Sequence, residues 1–246
     1  MNSGIKFSII TPCFNSGRTI ERTLKSLASQ NYENFEYIII DGLSSDNTIQ
    51  IIEGYRGIFK DKMRVISEPD DGIYDAMNKG IAMATGEIVG IVNSDDFYEN
   101  DCLRNVLHYY KRGEGEYQIL YGGIRCLDKE GDIKTEVFYH HKYLESQMIN
   151  HPATFVTKKL YDDFGVYDIK YKSSSDLDFM LRMKESGKVV FVPIHKILTN
   201  FTLGGISGTY IGAKETAMVK YKHGVISTKC YLFDCLKIWG KNLLRV

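Results

Sequence analysis

The sequence predicts an α/β protein with a mostly parallel central sheet flanked by helices. In the first hundred residues, short apolar runs alternate with segments whose apolar residues recur at helical spacing. Polar residues follow each apolar run, as they do where parallel strands end at a binding crevice. Farther along, two apolar runs flank a polar turn, which predicts a small antiparallel extension. We therefore expect one α/β body with its crevice at the carboxyl ends of the strands.

Four strands are predicted in the first half. They lie at Lys6–Thr11, Phe35–Asp41, Met63–Ser67 and Gly86–Asp95. Pro12 is expected to stop the first strand, and a helix with one apolar face follows at 16–29. Ser45-Asp46 is suited to cap a second helix, and a third is predicted to start at Asp71-Gly72.

The second half combines a hairpin with further strands and a helix. The predicted elements are a hairpin at 119–137, a short strand at Pro152–Thr157, a helix at Ser173–Glu185 and a strand at Val189–Val192. Neither a repeat nor a linker-like stretch separates the halves, so residues 1–208 are predicted to form one domain. The antiparallel part is expected to supply the pocket of a second substrate.

Two adjacent carboxylates, Asp95 and Asp96, follow the last strand of the first half. Ionised carboxylates repel each other and are costly to bury, so the pair favours a bound cation. Mg²⁺ or Mn²⁺ fits best, because such an ion is held by one or two carboxylates and completes its shell with water and substrate phosphates. An equally open alternative is that the pair caps the helical segment that begins at Asn100.

Composition and missing motifs exclude several classes of protein. The 246 residues balance 31 basic against 31 acidic side chains, which argues against a general nucleic-acid binder. The turn Thr11–Gly17 carries neither the Gly-x-Gly-x-x-Gly of dinucleotide sites nor a Walker motif. Five cysteines lack metal or disulfide spacing, so we expect reduced thiols in the cytoplasm. Neither a secretory leader nor an apolar stretch of the ~18 residues of a membrane span is found.

Taken together, six motifs in order resemble the family-2 inverting nucleotide-sugar glycosyltransferases of the GT-A fold, which has a Rossmann-like sheet. The likeness is strongest to enzymes that build bacterial surface polysaccharides and covers Lys6–Ser207. The motifs are Phe7–Asn15, Glu36–Thr48, Ser67–Gly80, Asn93–Asp96, Ser175–Arg182 and Gly204–Ser207. Each is weak alone, but their shared order is specific.

The resemblance implies a uridine diphosphate (UDP) sugar donor lying across the crevice. The residues implied to contact it are Thr11, Pro12, Asn15, Asp41, Asp71, Asn78, Ser94 and Asp95. Asp41 would accept a hydrogen bond from the uracil imide, a geometry that cytosine does not match. Asp71 and Asn78 would close the other side of the nucleotide. From the residues alone, Asp41-Gly42 also fits a strand-ending turn and Asn78–Gly80 a helix interruption.

Two positions depart from the family pattern. Many relatives have Asp-x-Asp where this chain has Asn93-Ser94-Asp95, so the Mn²⁺ or Mg²⁺ contact is expected to fall on Asp95 or Asp96. Met77 stands where relatives often carry an arginine, which leaves the details of base recognition open.

Asp176 falls at the position of the family's catalytic base. In an inverting transfer, this carboxylate takes the proton of the acceptor hydroxyl, and no covalent enzyme intermediate is needed. Residues two apart on a helix point about 200° apart, so only one of Asp176 and Asp178 can face the crevice. Asp176 is favoured because it lies nearer the helix start, whereas Asp178 is suited to bridge Arg182 four residues on.

Two further features have both a functional and a structural interpretation. His151 either lines the acceptor pocket or is a satisfied structural residue. The segment Gly204–Gly208 either closes over the donor as a lid, with glycines as hinges, or is a plain turn.

The C-terminal segment, residues 209–246, predicts helices and carries seven basic against two acidic residues. From Tyr231 to Arg245 one helical face is apolar and the opposite face basic. The apolar face contains Leu232, Leu236, Trp239 and Leu243, and the opposite face Asp234, Lys237, Lys241 and Arg245. Such a helix suits the anionic inner surface of the cell membrane, where lipid-linked sugar acceptors are found. The alternative is that it packs on the core of its own chain or on a second copy, as a homodimer.

The expected protein is thus a cytoplasmic enzyme, peripheral at the inner face of the membrane. Residues 1–98 would bind the nucleotide sugar, 99–208 the acceptor, and 209–246 would form the tail. The expected reaction moves a sugar from UDP to a lipid-linked or growing saccharide in bacterial O-antigen, capsule or exopolysaccharide synthesis. The alternatives are a sugar-phosphate nucleotidyltransferase and a non-catalytic saccharide-binding protein of the same fold.

Overall fold

A computed structural model describes residues 4–111, 114–205 and 208–243 of the chain. The strands are β1 (Phe7–Cys13), β2 (Phe35–Asp41), β3 (Met63–Ser67), β4 (Ile88–Ile91), β5 (Phe97–Tyr98), β6 (Gln118–Leu127), β7 (Ile133–Val137), β8 (Thr154–Thr157) and β9 (Val190–Thr202). The helices are α1 (Ile20–Ala28), α2 (Thr48–Gly54), α3 (Arg56–Phe59), α4 (Ile73–Met83), α5 (Cys102–Tyr109), α6 (Lys158–Phe164), α7 (Ser175–Ser186), α8 (Tyr210–Lys222) and α9 (Thr228–Leu243). Short 3₁₀ turns lie at Lys60–Lys62, His141–Tyr143 and His151–Ala153.

All these strands belong to one sheet, in the order β3-β2-β1-β4-β8-β6-β9-β5, with β7 paired to β6. The first four neighbours are parallel, as are β6 and β9, whereas β5, β7 and β8 run antiparallel to their partners. The predicted hairpin is present as β6 and β7. The prediction of an α/β fold with a mostly parallel sheet and an antiparallel extension is confirmed.

Strands β1, β4 and β9 differ most from the prediction; in addition, β8 begins at Thr154 instead of Pro152, and β5 was not predicted. β1 runs through Pro12 to Cys13, because its pairing with β4 ends at Ile10 and the missing Pro12 N–H falls beyond that ladder. β4 ends at Ile91, so Asp95 and Asp96 lie in the following turn. β9 is far longer than predicted. The apolar run in the sequence ends at Pro193 and the polar residues after it, but the strand itself continues to Thr202.

The sheet separates two apolar clusters. Phe7 and Ile9 of β1 face the cluster that includes α1, α2 and α5, and the intervening Ile10 faces the cluster that includes α4, α6, α7 and α8. Helix α4 lies very close to β1, because a Cβ built on Gly80 would meet Ile10 Cγ2 at 2.5 Å. This contact explains the glycine of the Asn78–Gly80 stretch and fixes α4 beside the strand ends.

The C-terminal segment divides into two differently packed helices. Val219 of α8 is fully buried in the second cluster, so α8 belongs to the body of the fold. The α9 side chains Leu232, Leu236 and Trp239 are 57%, 67% and 59% exposed, respectively. The alternative that this face packs on the chain's own core is therefore wrong for these residues. Among the described residues, none of the helices has the length and apolarity that a membrane span requires.

Candidate active site

A cavity of about 780 Å³ lies where β1 and β4 end and α7 begins. Its walls bring together residues of the first half and of the second half of the chain. They include Pro12, Asn15, Asp70, Asn93, Ser94, Asp95, His151, Lys172, Ser173, Asp176 and Gly205. The predicted crevice at the strand ends is thus a real cavity, and five of the predicted site residues line it: Pro12, Asn15, Ser94, Asp95 and Asp176.

The turns after β1 and β2 hold each other in place beside this cavity. Asn15 has a left-handed φ of 48°, and its Oδ1 accepts a hydrogen bond from Ser45 N at 2.9 Å. Gly42 lets the turn after β2 approach Asp70 closely, since a Cβ there would lie 2.5 Å from Asp70 Oδ2 and this carboxylate would have to shift. Asp70 and Asn15 both lie on the cavity wall, and the bond from Ser45 N holds the Asn15 side chain in place.

Thr11 and Asp41 do not line the cavity, contrary to the prediction. Both are fully buried, and Thr11 Oγ1 accepts a hydrogen bond from the Tyr37 hydroxyl at 3.1 Å. Asp41 accepts hydrogen bonds from Ser44 N at 3.0 Å and from Ser67 Oγ at 2.7 Å. These donors satisfy the carboxylate inside the protein, so Asp41 stabilises the β2 turn, which was the structural alternative.

Asp71 and Asn78 also lie outside the cavity wall. Asp71 is exposed, and its neighbour Asp70 occupies the wall instead. The side-chain amide of Asn78 donates to Tyr167 O at 2.9 Å and accepts from Tyr167 N at 3.1 Å. Asn78 therefore ties α4 to the second half of the chain.

The adjacent acids Asp95 and Asp96 have different environments. Asp95 lines the cavity, and burial raises the pKa of its carboxyl while Arg22 opposes the rise. Asp96 is fully buried; it accepts hydrogen bonds from Thr202 N at 2.9 Å and from Asn93 Nδ2 at 3.2 Å. Burial, then the charge of Asp95, raises the pKa of Asp96 to about 8. With both its oxygens occupied, Asp96 is not placed as a metal ligand.

The pair also does not cap the next helix, because the residue that precedes α5 is Asp101. The turn after β4 instead places side-chain oxygen atoms of Asn93 and Asp95 at the cavity. Asn93 lines the cavity, and its Oδ1 is buried with no hydrogen-bond partner in the described part of the chain. The Asp95 carboxylate and the Asn93 amide oxygen fit a hard divalent ion that takes its remaining ligands from phosphates and water. Within residues 4–111, 114–205 and 208–243 there is no cluster of three or more His, Cys, Asp or Glu suited to a metal.

Asp176 lies in the first turn of α7 and faces the cavity. Its Oδ1 accepts hydrogen bonds from the Tyr74 hydroxyl at 3.0 Å and from Leu177 N at 2.9 Å. Burial, and then the charge of Asp176, raises the pKa of Tyr74, so this phenol stays a donor. A half-buried carboxylate is thereby held in a fixed orientation toward the cavity.

Asp178 points away from the cavity and is 1% exposed. Its carboxylate lies 3.0 Å from Arg182 Nε, Lys222 Nζ and His223 Nε2. Burial alone would raise the pKa of Asp178, but the hydrogen bonds from His223, Lys222 and Arg182 outweigh it and hold the pKa below its ordinary value. The predicted bridge to Arg182 is present, and two partners from the C-terminal segment join it.

Glu215 of α8 is a residue that the sequence patterns missed. Its carboxylate accepts hydrogen bonds from the backbone N–H groups of Lys172, Ser173 and Ser174 at 2.8, 2.7 and 3.2 Å. Charge-assisted bonds of this kind are about twice as strong as neutral ones. Because this loop leads directly into Asp176, Glu215 positions the start of α7.

Two open features of the sequence can now be placed. His151 lines the cavity, and its Nε2 is hydrogen-bonded to the Tyr167 hydroxyl at 2.9 Å, so its position is compatible with both interpretations. Burial lowers its pKa, and the charge of Asp176 opposes that change. Gly205 lines the cavity, whereas Ile206 and Ser207 of the predicted lid lie outside the described residues.

Comparison with known proteins gives a consistent result. Residues 8–162 match the sequence model of the family described as "Glycosyl transferase family 2". The chain is 30% identical over 207 residues to the PGL/p-HBAD biosynthesis glycosyltransferase of Mycobacterium bovis, a match that covers 83% of this chain and 80% of that protein. It is 27% identical over 202 residues to the chondroitin synthase of Escherichia coli, a match that covers 80% of this chain and 29% of that protein.

Solved structures of similar fold include S. aureus TarS 1–349 in complex with UDP-GlcNAc. It has a TM-score of 0.68 and 22% identity, and the match covers 87% of this chain and 66% of that one. The match spans 39% of the longer TarS chain. The mannosyltransferase PcManGT of Pyrobaculum calidifontis, in complex with GDP-Man and Mn²⁺, has a TM-score of 0.63 and 19% identity, covering 90% of this chain and 64% of that one. The sequence matches show that this chain belongs to glycosyl transferase family 2, and its GT-A fold agrees with that assignment.

Proposed function

We propose that this glycosyltransferase is an inverting, divalent-metal-dependent enzyme that transfers one sugar from a UDP-sugar to a lipid-linked or growing saccharide. The pathway proposed is bacterial polysaccharide synthesis, of the O-antigen, capsule or exopolysaccharide kind. One observation carries the proposal. One cavity is lined both by Asn93 and Asp95, whose side-chain oxygen atoms can bind a metal ion, and by the oriented carboxylate of Asp176.

The donor would lie along the wall formed by the first half of the chain. Pro12, Asn15 and Asp70 would border the nucleoside, and Ser94 and Asp95 the sugar-phosphate part. The similar TarS fold binds UDP-GlcNAc, which supports UDP as the nucleotide, and a fold neighbour solved with Mn²⁺ supports the use of a metal. Asp95 and Asn93 would hold the ion, and a bound ion neutralises the charge that develops on the leaving diphosphate.

Asp176 would act as the general base. Its carboxylate would take the proton of the acceptor hydroxyl as that oxygen attacks the anomeric carbon from the face opposite the diphosphate. Tyr74 donates to Oδ1 and so keeps the carboxylate aimed at the cavity. His151, on the second half's wall, would contact the acceptor. Residues 1–98 would thus serve the nucleotide sugar and 99–208 the acceptor.

The helix α9 would hold the enzyme at the inner surface of the membrane. Its apolar side chains are exposed, with Leu236 at 67% and Phe233 at 65%. Lys229 and Lys237 on the same helix add positive charge. An exposed apolar stripe with nearby lysines suits an anionic lipid surface, and a lipid-linked acceptor would be presented there.

The direct test is to incubate the protein with Mn²⁺ and a panel of nucleotide sugars and to measure the free nucleotide diphosphate. We expect slow hydrolysis of one UDP-sugar and little of the guanosine or cytidine compounds. Release of pyrophosphate from UTP and a sugar phosphate would instead identify a nucleotidyltransferase. Binding of saccharides with no turnover of any nucleotide sugar would identify a binding protein.

The metal proposal has its own test in Asp95→Asn. Asn93 is already an amide, so this change removes the remaining carboxylate that lines this part of the cavity. We expect UDP affinity in Mn²⁺, measured by calorimetry, to fall by about tenfold or more. Equal affinity with a chelator present, or in the variant, would contradict metal-dependent binding.

A further inference from the structure

A second, smaller cavity of about 170 Å³ adjoins the first. Met148, Ser173 and Asp176 line both cavities, so the proposed base stands where the two meet. The far wall of the second cavity is formed by Thr216 and Lys220 of α8.

The polar groups of this second cavity are incompletely paired. Ser173 is 8% exposed, and its Oγ has no hydrogen-bond partner in the described ranges. Lys220 and Thr216 are one helical turn apart on the same face of α8. Within residues 4–111, 114–205 and 208–243, Lys220 Nζ donates one hydrogen bond, to the backbone oxygen of Ser146 at 3.3 Å, and forms no ion pair with a carboxylate. A lysine that closes a polar cavity without a carboxylate partner has charge available for a ligand.

Access to Asp176 decides what this cavity can bind. If the donor fills the part of the larger cavity between Asn15 and Asp95, the acceptor has the remaining space around Asp176. The second cavity opens on Asp176 from the α8 side. An acceptor placed there would bring one hydroxyl to the base while its far end reaches Lys220.

We propose that the second cavity extends the acceptor site beyond the wall that His151 lines, and that it selects a saccharide with an anionic group, a phosphate or a carboxylate, bound by Lys220. This inference rests on the proposed function. Ser173 Oγ would hydrogen-bond to a sugar hydroxyl, Thr216 Oγ1, which is paired with Ser174 Oγ at 3.1 Å, would line the wall beside it, and the ammonium of Lys220 would pair with the anionic oxygens. Lys220 is then a specificity-determining residue of the transfer reaction.

The experiment measures probe binding to protein saturated with UDP and Mn²⁺, by saturation-transfer difference NMR with competition titrations. Saturating UDP keeps phosphates out of the donor cavity. The probes are the methyl glycoside, the 1-phosphate and the uronic acid of glucose, and the methyl glycoside and 1-phosphate of N-acetylglucosamine. We expect one anionic class to bind at least about tenfold tighter than the neutral glycosides. A preference for the 1-phosphates points to a phosphate-bearing acceptor, and one for the uronic acid points to an acidic sugar.

Two matched variants show whether Lys220 is responsible. Lys220→Met should abolish the anionic preference, and Lys214→Met, which removes an exposed lysine of the same helix, should leave it unchanged. Thr216→Trp should block all probes by filling the cavity. Melting temperature and UDP affinity are measured on each protein to confirm that it is folded, and Lys214→Met, which lies outside the cavity, should also match the unmodified chain in UDP-sugar hydrolysis.

Three results would overturn the inference: no binding of any anionic probe, equal binding of neutral and anionic probes, or an anionic preference that survives Lys220→Met. A failure of the proposed function is seen separately, as absence of UDP-sugar hydrolysis in the unmodified protein.

Discussion

Asp176 and Asp178 lie two residues apart on α7 yet occupy opposite environments. Asp176 faces the cavity and is held by the neutral donors Tyr74 and Leu177 N. Asp178 is buried against three basic groups of α7 and the C-terminal segment. The first turns of one helix therefore have two faces: the face that carries the proposed base, here called the reactive face, and the face buried against the C-terminal segment, here called the anchoring face. Because both faces belong to one rigid helix, the contacts of Asp178 with Arg182, Lys222 and His223 also help to set the direction of Asp176.

The largest expected effect comes from Asp176→Asn, which tests the reactive face. The substitution keeps the shape of the side chain and removes the basic oxygen, so turnover should fall by a factor on the order of 10² or more. UDP affinity and melting temperature should stay the same. Single-turnover transfer, or UDP-sugar hydrolysis where the acceptor is unknown, measures the loss. Full activity of this variant would remove Asp176 from the role of base.

Glu215→Gln tests whether α8 positions the reactive face. The variant weakens three bonds to the loop at 172–174 by removing the carboxylate charge. We expect turnover to fall by roughly tenfold, with UDP affinity unchanged, because the donor wall of the cavity is not touched. Glu215→Ala should lose more. Turnover is compared at a temperature where both proteins are folded. If the variant has a lower melting temperature but unchanged turnover, the role of Glu215 is purely structural.

Asp178→Asn tests the anchoring face through stability. Replacing the buried carboxylate should lower the free energy of unfolding by about 1–3 kcal/mol, seen as a lower melting temperature at pH 7. The folded-state pKa of Asp178 is depressed, so its contribution is present above the ordinary carboxyl pKa and disappears as the pH falls through the folded value. The difference between the two proteins should thus shrink in acid. A constant difference across that pH range would contradict the ionic role.

Truncation after Thr228 should have the smallest effect on chemistry. It removes α9 but leaves α8, with Glu215 and Lys222, in contact with α7. UDP-sugar hydrolysis should stay unchanged, whereas sedimentation with anionic vesicles at low salt should be lost. The full-length protein should also leave the vesicles as salt screens its lysines. If the full-length chain ignores anionic vesicles at low salt, α9 binds another protein or a second copy.

The fold was predictable to the level of sheet, crevice and hairpin because each depends on local patterns. The apolar runs predicted both ends of β2 and β3 correctly. The polar residues after β1 and β4 indicated where the cavity lies. In β9, the apolar pattern of the sequence ends at Pro193, but the strand continues to Thr202. Pairing with β6 along most of its length supplies what the local sequence lacks.

The candidate site was predictable only in part, because a sequence does not show where a side chain points. Asp41 and Asn78 follow or border the rim as expected, yet both turn inward to donors and acceptors of the protein. Asp95 and Asp96 are adjacent but only one reaches the cavity. Glu215 was missed because its partners are backbone N–H groups, which carry no residue signature.

The bond between Glu215 and Lys172 N spans 43 residues of sequence, and that separation has a consequence for synthesis on the ribosome. Chains are made from the N-terminus, and early segments begin to fold first. Strands β1 to β4 and the first-half residues that line the cavity are synthesised before α8 emerges. During that interval Asp176 exists but its loop has no anchor. The loop before Asp176 can therefore take its final position only after α8 has been made, whereas most of the residues that line the cavity are made earlier.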